Sequence, residues 1–325
     1  MAKADLSIHP GQVPQVSPVL GLRARQDTLY SNHKGEMKNG IQKRAEKALR
    51  HLESPLRRLL EADEIVFYAA RAQAPVSGFE QVTFGWYIHN LTATTLVLTN
   101  RRLLIFGVKR DGTWKRHMRS VRWGDIAEAK VSGWLNRMLT LTYRQGKPHK
   151  YWGLRSDDAK KLRVLLAALL PASAGEVSEA RTLVSLCPDC FGTLTQSVYN
   201  CNQCGLVFKD EKTLVRRSLL IPGGGYFYVG MPLLGVCDFV VEAMLTIWLA
   251  LSALAALGVH AMQDEAGKTM DQGSVLVGLI FVAVIFAGEK WMTIHHCRRF
   301  VREFIPTDAK RAPQYEIGRP ASAGT

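Results

Sequence analysis

Two long apolar runs near the C-terminal end dominate the pattern of hydrophobic and polar positions along the chain. The first extends from Met231 to Val259, and the second extends from Gly273 to Ala287 with scattered apolar residues after it. About 20 predominantly apolar residues are enough to cross the hydrocarbon core of a membrane. The pattern therefore predicts a transmembrane helical hairpin over residues 231–298. The alternative is a buried helical pair in a soluble core, which the unbroken length of the first run disfavours.

Positively charged residues flank the hairpin and predict its orientation. Two arginines precede the apolar runs and three follow them, whereas the connecting segment is mildly acidic: Arg216 and Arg217, then Arg298, Arg299 and Arg302. Cytoplasmic flanks of membrane helices carry an excess of Lys and Arg. We therefore expect a multi-pass protein of the cytoplasmic (inner) membrane with both termini in the cytoplasm, including a C-terminal tail over residues 299–325. The first thirty residues lack the apolar core of a secretory signal.

Short segments of strand-like composition follow one another through the middle of the chain. The predicted strands lie in EIVFYAARA, FGWYIHN, TTLVLTN, the two halves of RRLLIFGVKRDGTWKRHMRSVRW, RMLTLTYRQG and HKYWGL. The Asp111-Gly112 pair predicts a hairpin turn. A helix is predicted to begin at Ser156 and to stop at Pro171. Antiparallel strands followed by one amphipathic helix indicate an α+β domain over residues 63–171, with the helix covering the open end of a β-barrel.

Helical spacing of apolar residues appears upstream of these strands. The apolar positions of the segment over residues 41–62 are Ile41, Ala45, Ala48, Leu49 and Leu52, with basic residues between them. Pro55 is expected to divide the segment into two helices. A cationic amphipathic helix can lie on a membrane, but packing against its own domain is the favoured interpretation. We expect residues 1–40 to form a disordered tail and residues 172–185 to form a linker.

Two Cys-x-x-Cys pairs lie between the predicted barrel and the hairpin. The four cysteines are Cys187, Cys190, Cys201 and Cys204, with ten residues between the inner two. Cytoplasmic thiols are usually reduced, so paired motifs indicate metal or redox chemistry more than disulfides. Four thiolates complete the tetrahedral coordination of Zn²⁺ and leave no open position for catalysis. Gly192 and Gly205 are expected to supply the tight turns.

The alternation of TLTQSVYN predicts a small hairpin between the two turns. The whole segment resembles a zinc ribbon over residues 186–210. We predict a structural Zn²⁺ site. Iron, as in a rubredoxin-like site, and a dithiol redox centre are the alternatives, and the sequence does not separate zinc from iron. Cys237 and Cys297 are interpreted as packing residues of the membrane helices.

Three motifs give the predicted barrel a family resemblance. They are LVLTNRRLLIF, WGDIAEAKV and GLRSDDAKKLRVLL. Together they resemble the bacterial pleckstrin-homology (PH) or GRAM-like domain over about a third of the chain. That family implies a bent seven-stranded barrel with a C-terminal helix and a binding or oligomerisation role without catalysis. Phosphoinositide binding is not carried over, because the first hairpin loop, QAPVSGFEQ, is neutral to acidic.

The juxtamembrane segment over residues 211–230 has its own signature. LLIPGGGYFYVGMP resembles the Pro-Gly-x-Gly-x-x-Tyr-x-Gly entry of TM2-type two-helix membrane domains. The aromatic residues are expected at the headgroup level and the glycines at a close helix approach. No activity comes with this resemblance.

Charge adds candidate binding residues. The formal net charge is +14, which favours anionic partners without choosing between lipid and nucleic acid. Basic residues are dense in one stretch of the predicted barrel: Arg101, Arg102, Lys109, Arg110, Lys115, Arg116, Arg119 and Arg122. Three interpretations of these residues are open. They are a solvated outer face, a membrane-facing or partner-binding patch, and a nucleic-acid surface.

Two acids in the first apolar run are a further candidate. Asp238 and Glu242 are four residues apart and share one helix face, and intramembrane acids are often functional. The alternative is that both lie near the interface, where they snorkel to the headgroups or pair with Arg298 or Arg299.

The sequence contains no P-loop, His-Glu-x-x-His or Gly-x-Ser-x-Gly motif. We therefore predict a non-enzymatic, membrane-anchored adaptor, scaffold or sensor that binds a protein partner, a second copy of itself or an anionic lipid surface. The alternatives are a membrane-tethered nucleic-acid-binding protein and an ion or proton pathway through oligomerised hairpins.

Overall fold

The computed structural model describes residues 16–76, 78, 80, 88–172, 177–258 and 272–307. The chain divides into two compact units, one comprising Met1–Thr195 with Cys201–Gly205 and the other Gln196–Asn200 with Leu206–Thr325. The strands are β1 (Ser17–Val19), β2 (Leu22–Ala24), β3 (Val66–Gln73), β4 (Ala93–Thr99), β5 (Arg102–Val108), β6 (Trp114–Arg122), β7 (Ile126–Ser132), β8 (Arg137–Tyr143), β9 (His149–Leu154), β10 (Val184–Leu186) and β11 (Thr193–Leu194). The helices are α1 (Gln26–Leu29), α2 (Asn39–Arg50), α3 (Glu53–Leu59), α4 (Ile88–Leu91), α5 (Ser156–Ala172), α6 (Glu211–Leu220), α7 (Gly224–Val229), α8 (Pro232–Ala256) and α9 (Gln272–Val301).

A curled, mainly antiparallel sheet organises the first unit. Its strand order is β11-β10-β6-β5-β4-β3-β9-β8-β7, and β1 and β2 join through a short parallel pairing of β2 with β3. Alternate residues of β3 to β6 face opposite sides of the sheet. One side, with Leu103 and Ile105, packs with the leucines of α5, and the other, with Leu104 and Phe106, packs with the N-terminal segment. The predicted α+β plan is confirmed as a half-barrel with a helix against it.

The N-terminal segment departs from the prediction of a disordered tail. Residues 16–40 form β1, β2 and α1, and Leu22, Ala24 and Leu29 are almost completely buried. These apolar side chains cover a sheet face that would otherwise be exposed. The prediction is therefore wrong for residues 16–40, and residues 1–15 lie outside the described part of the chain.

The amphipathic segment packs on its own unit, as favoured from the sequence. Ile41, Ala45 and Leu49 of α2 are buried, and α2 contacts β3. The predicted division into two helices is present, with α3 beginning at Glu53 and Pro55 in its first turn, where a missing N–H costs no helical hydrogen bond. The apolar stripe of α2 is therefore already covered by protein.

One predicted strand is wrong where it is described. The segment FGWYIHN ends in the short helix α4, not in a strand, and its first four residues and most of the QAPVSGFEQ loop lie outside the described residues. The other predicted strands are present, and the structure adds β7 within WGDIAEAKV. The Asp111-Gly112 turn is confirmed between β5 and β6, with Gly112 at a φ of 102°.

The motif LTNRRL forms a turn that binds a preceding acidic segment. Thr99 donates a hydrogen bond to Glu64, and the Asn100 side chain accepts the N–H of Ile65. Arg102 makes a two-pronged ion pair with the same Glu64, whose side chain is completely buried. Arg101 pairs with Glu61 and Asp63. The most specific part of the family resemblance is therefore a structural turn.

Helices make up the second unit. The α8 and α9 helices are long and apolar enough to cross a membrane, and only 11% and 17% of the residues in their most apolar stretches are buried. A core helix of a soluble protein would be mostly buried. The exposure of α8 and α9 therefore does not support the alternative of a buried helical pair. Gly224 allows the approach of α7 to α6, because a Cβ there would lie 2.3 Å from the Arg217 carbonyl oxygen. Tyr226 and Tyr228 are buried within the unit, whereas Phe227 is exposed. The headgroup position of these rings stays a prediction.

Lys161 of α5 supplies a prediction on pH dependence. Its buried ammonium donates hydrogen bonds to Ser31 and to the Asn32 carbonyl oxygen, and burial lowers its pKa to about 8, with Asp27 opposing and Arg25 reinforcing the shift. Between that value and the unfolded pKa of 10.5 the unfolded chain binds more protons, so the free energy of unfolding attributable to Lys161 rises with pH, by at most about 3 kcal/mol.

The measurement is denaturant unfolding of the full chain in detergent from pH 8 to pH 10, comparing wild type with Lys161→Met. Wild type should gain stability relative to the variant as pH rises across that window. Parallel pH profiles for the two proteins would contradict the assignment.

Candidate metal centre

The two Cys-x-x-Cys turns meet beside the edge strands of the first unit. Cys187 directly follows β10, Cys190 lies three residues later, and Cys201 and Cys204 form the second turn. The four Sγ atoms all lie within 4.8 Å of one another. The predicted cluster is therefore confirmed as a group of residues.

The sulfur separations fit one tetrahedral ion. Cys187 Sγ and Cys204 Sγ are 3.6 Å apart, and Cys190 Sγ and Cys201 Sγ are 3.4 Å apart. Four sulfurs at the Zn–S distance of about 2.3 Å would be separated by about 3.8 Å, whereas disulfide sulfurs are separated by about 2.05 Å. All four cysteines are free. The arrangement suits Zn²⁺ or Fe bound by four thiolates, and the donor set does not choose between them.

Each turn has a residue in the left-handed backbone region. Gly205 has a φ of 71°, and its N–H donates to the Cys201 carbonyl oxygen over 2.9 Å. In the first turn this position belongs to Phe191, with a φ of 63°, and its N–H donates to the Cys187 carbonyl oxygen over 3.0 Å. The expectation that Gly192 supplies the first turn is therefore wrong by one residue.

The thiols differ in their protonation equilibria. Burial raises the pKa of Cys187. Burial acts in the same direction on Cys201, but the N–H groups of Gln203 and Cys204 and the neighbouring thiols outweigh it and lower the Cys201 pKa to about 7. Four thiols this close do not all ionise without a cation, because like charges at short range repel. A bound metal would supply that positive charge.

The first turn is attached to the half-barrel by several contacts. Arg58 of α3 lies over the Phe191 ring at 5.2 Å and donates to the Asp189 carbonyl oxygen. Arg116 of β6 pairs with the Asp189 carboxylate at 2.9 Å. In addition β10 forms an antiparallel ladder with β6, where Leu186 faces Met118. The cysteine turns are therefore part of the first unit, and the prediction of a separate spacer after a linker is wrong for the described residues.

The predicted hairpin between the turns is also absent from the described residues. Thr193 and Leu194 form β11, which pairs with β10 and not with the following residues. Residues 196–200 group with the second unit, where Asn200 bridges to Val207. The zinc-ribbon resemblance thus holds for the ligands but not for the strand pairing.

Comparison of the chain with protein-family models, with curated proteins and with solved structures finds no match in any of the three. The resemblances to PH or GRAM-like, zinc-ribbon and TM2-type domains therefore remain predictions.

The predicted basic patch divides into two groups. Four of its members have internal partners: Arg101 and Arg102 hold the acidic segment, Arg116 holds Asp189, and Lys115 donates to the carbonyl oxygens of Asn90 and Leu91. Arg119 is half-buried. Burial of His149, followed by the nearby charge of Arg119, lowers the pKa of His149 to about 4. Lys109, Arg110 and Arg122 are exposed.

A concentrated basic region lies elsewhere in the first unit. A cavity of about 220 Å³ lies between α2, β3 and the β5–β6 turn. We define the basic cleft as this cavity with the basic residues of its lining and of the adjoining β5–β6 turn. The lining contributes Arg44, Lys47, Arg71 and Arg155, and the turn contributes Lys109 and Arg110, whose carbonyl oxygens accept hydrogen bonds from Arg71. Burial, followed by the nearby charge of Arg155, lowers the pKa of Arg71, so two guanidinium groups share a restricted volume. Asp111 and Asp158 offset part of the charge. Arg44, Arg71 and Arg155 come from separate elements, and no sequence pattern connects them.

The two predicted intramembrane acids lie in a buried polar cluster of the second unit. Glu242 accepts a hydrogen bond from Lys290 of α9 at 2.5 Å and another from the Gly223 N–H at 3.0 Å. Asp238 lies against Thr293, and Glu289 accepts from Thr293 at 2.8 Å. The alternative pairing with the C-terminal arginines does not hold for Glu242, which pairs with Lys290, and Arg298 lies 3.6 Å from Glu211.

Sequence reasoning missed Glu289 and Lys290. The available signal was the end of the second apolar run, where Glu289, Thr293 and Cys297 recur at a spacing of four on one helix face.

Proposed function

We propose that this protein is a membrane-anchored, non-enzymatic adaptor whose basic cleft binds an anionic membrane surface or the acidic face of a partner. The α8 and α9 helices serve as the membrane anchor, with both termini in the cytoplasm. The four-cysteine centre serves a structural role, because its ligands leave no coordination position for a substrate. It holds β10 and β11 against the edge of the half-barrel.

The observation that carries this proposal is the concentration of cations around the cleft. The cavity lining holds four basic side chains and two acids. The exposed Lys109 and Arg110 of the β5–β6 turn add two cations beside it, and Lys47 of the lining is exposed as well. A lipid-facing basic residue contributes about 1 kcal/mol of attraction to an anionic membrane. The cations are therefore most concentrated beside α2, and not along the whole predicted stretch from Arg101 to Arg122.

The test uses the full chain in lipid nanodiscs, with hydrogen–deuterium exchange measured in α2 and the β5–β6 turn. Discs containing anionic lipid should slow exchange in these segments relative to purely zwitterionic discs. Lys47→Glu/Lys109→Glu should abolish the slowing, because it reverses two exposed charges of the cleft. Lys130→Glu/Lys147→Glu is the matched control, since it reverses two exposed lysines of the same unit outside the cleft lining.

Two further experiments distinguish the possible partners of the basic cleft. Crosslinking in intact cells that captures one specific protein with wild type and loses it with the cleft variant would assign an acidic protein partner. Binding of RNA or DNA that weakens with salt by roughly one power per phosphate contacted would assign the nucleic-acid alternative. No response of the cleft to anionic lipid, protein or nucleic acid would remove the proposal.

A further inference from the structure

Three carboxylates from two helices converge in the second unit. Asp238 and Glu242 belong to α8 and Glu289 belongs to α9, and one oxygen of each lies within 4.8 Å of the others. Glu242 is 1% exposed, and Asp238 and Glu289 are half-buried. Carboxylates in such surroundings repel one another strongly unless protons or cations intervene.

The nearby lysine does not balance this charge. Three carboxylates and the Lys290 ammonium leave a formal sum of two negative charges, from three acids and one base. Lys290 is itself committed to Glu242 Oε2 and to the Ser218 carbonyl oxygen at 2.7 Å. A divalent cation would bring the sum to zero.

A second observation points to a ligand at the same place. Glu242 Oε1 is buried and has no hydrogen-bond partner among the described residues, although Oε2 of the same carboxylate has two. Glu289 Oε2 is also buried without a partner among them. Orphaned carboxylate oxygens in a buried site are costly, and oxygen-preferring cations satisfy both at once.

We propose that Asp238, Glu242 and Glu289 bind one divalent cation of the oxygen-preferring class. One oxygen of each carboxylate lies within 4.8 Å of the others, so a single ion can contact all three residues. Ca²⁺ and Mg²⁺ both prefer carboxylate oxygens, and the competition experiment below distinguishes them. The ion would join α8 to α9, a role that is independent of the basic cleft.

The test is equilibrium dialysis of radiolabelled Ca²⁺ against the full chain in zwitterionic nanodiscs, with Mg²⁺ and Mn²⁺ as competitors. Zwitterionic lipid is needed because anionic headgroups also bind Ca²⁺. Wild type should bind about one Ca²⁺ per chain. Glu289→Gln and Asp238→Asn should each weaken binding by about tenfold or more, as expected when a charged ligand is removed.

Both variants keep the Lys290 and Glu242 pair, and folding is checked by size-exclusion chromatography and thermal unfolding. Glu211→Gln is the matched control, because it removes a carboxylate of the same unit that lies outside the cluster and pairs with Arg302. Unchanged binding in both cluster variants would overturn the proposal. So would a folded wild type that binds no cation and shows protonated carboxyl bands in difference infrared spectra, which would assign the two missing charges to protons.

Discussion

Cys201→Ser is expected to release β10 and β11 from the edge of the half-barrel and to abolish metal binding. A structural zinc site contributes on the order of 10 kcal/mol of folding free energy. The two cysteine turns have little core of their own beyond Leu186, Cys187, Leu194 and Cys201. Loss of the ion would therefore leave the β10–β6 ladder, only three residue pairs long, without its main support.

Hydrogen–deuterium exchange and elemental analysis measure this effect in the full chain. Exchange in residues 184–205 should accelerate by several orders of magnitude in Cys201→Ser and in chelator-treated wild type, while the β3–β4 ladder keeps its protection. Cys237→Ser is the control, because Cys237 is exposed and lies outside the cluster. Elemental analysis and visible absorption of the intact protein distinguish zinc from iron.

A metal content that falls without any change in exchange would contradict the structural role. So would full protection of residues 184–205 in metal-free protein. Either result would require that the contacts of Asp189 with Arg58 and Arg116 hold the segment by themselves.

The features that the sequence predicts correctly all depend on local patterns. The apolar length of α8 and α9, the strand-like composition of β4 and β5, the Asp111-Gly112 turn and the start of α5 arise from near neighbours along the chain. Pro171, which the sequence predicts as the stop of α5, lies inside the helix. The four-cysteine cluster was predictable for the same reason, because each Cys-x-x-Cys turn has a characteristic spacing of its own.

The features that the sequence does not predict depend on distant partners. The pairing of β10 with β6 joins residues more than sixty positions apart, and nothing in Val184–Leu186 specifies that edge. The basic cleft combines α2, β3 and the start of α5 in the same way. The arginines of the LTNRRL motif have acidic partners that lie some forty residues earlier, so a count of charges overstated the free surface.

Local exceptions have a similar origin. Phe191 adopts the left-handed conformation expected of a glycine, and its ring packs under Arg58. Tertiary contacts of this kind offset the backbone strain, which for a single residue other than glycine is about 1–3 kcal/mol. The sequence pattern assigned this turn position to Gly192, because it contains no information about the contact between the Phe191 ring and Arg58.

Lys290→Met is expected to destabilise the second unit by about 3–5 kcal/mol, the cost of leaving one member of a buried ion pair alone. The variant removes the partner of Glu242 Oε2 and the donor to the Ser218 carbonyl oxygen. It also raises the formal charge of the cluster from two to three negative charges. The double variant Lys290→Met/Glu242→Gln should recover part of the loss, because Glu242 then no longer carries a charge that has lost its partner.

Unfolding of the full chain in one detergent, with Lys212→Met as an exposed control, measures these differences as a double-mutant cycle. A double variant as unstable as the sum of its single variants would contradict coupling between Lys290 and Glu242. Added Ca²⁺ makes the cycle informative about the cation site as well. A cation bound by the three carboxylates offsets the extra negative charge, so Ca²⁺ should stabilise Lys290→Met more than wild type, by the linkage of binding to folding. No stabilisation of either protein by Ca²⁺ would keep the ion pair and remove the cation from the account of this cluster.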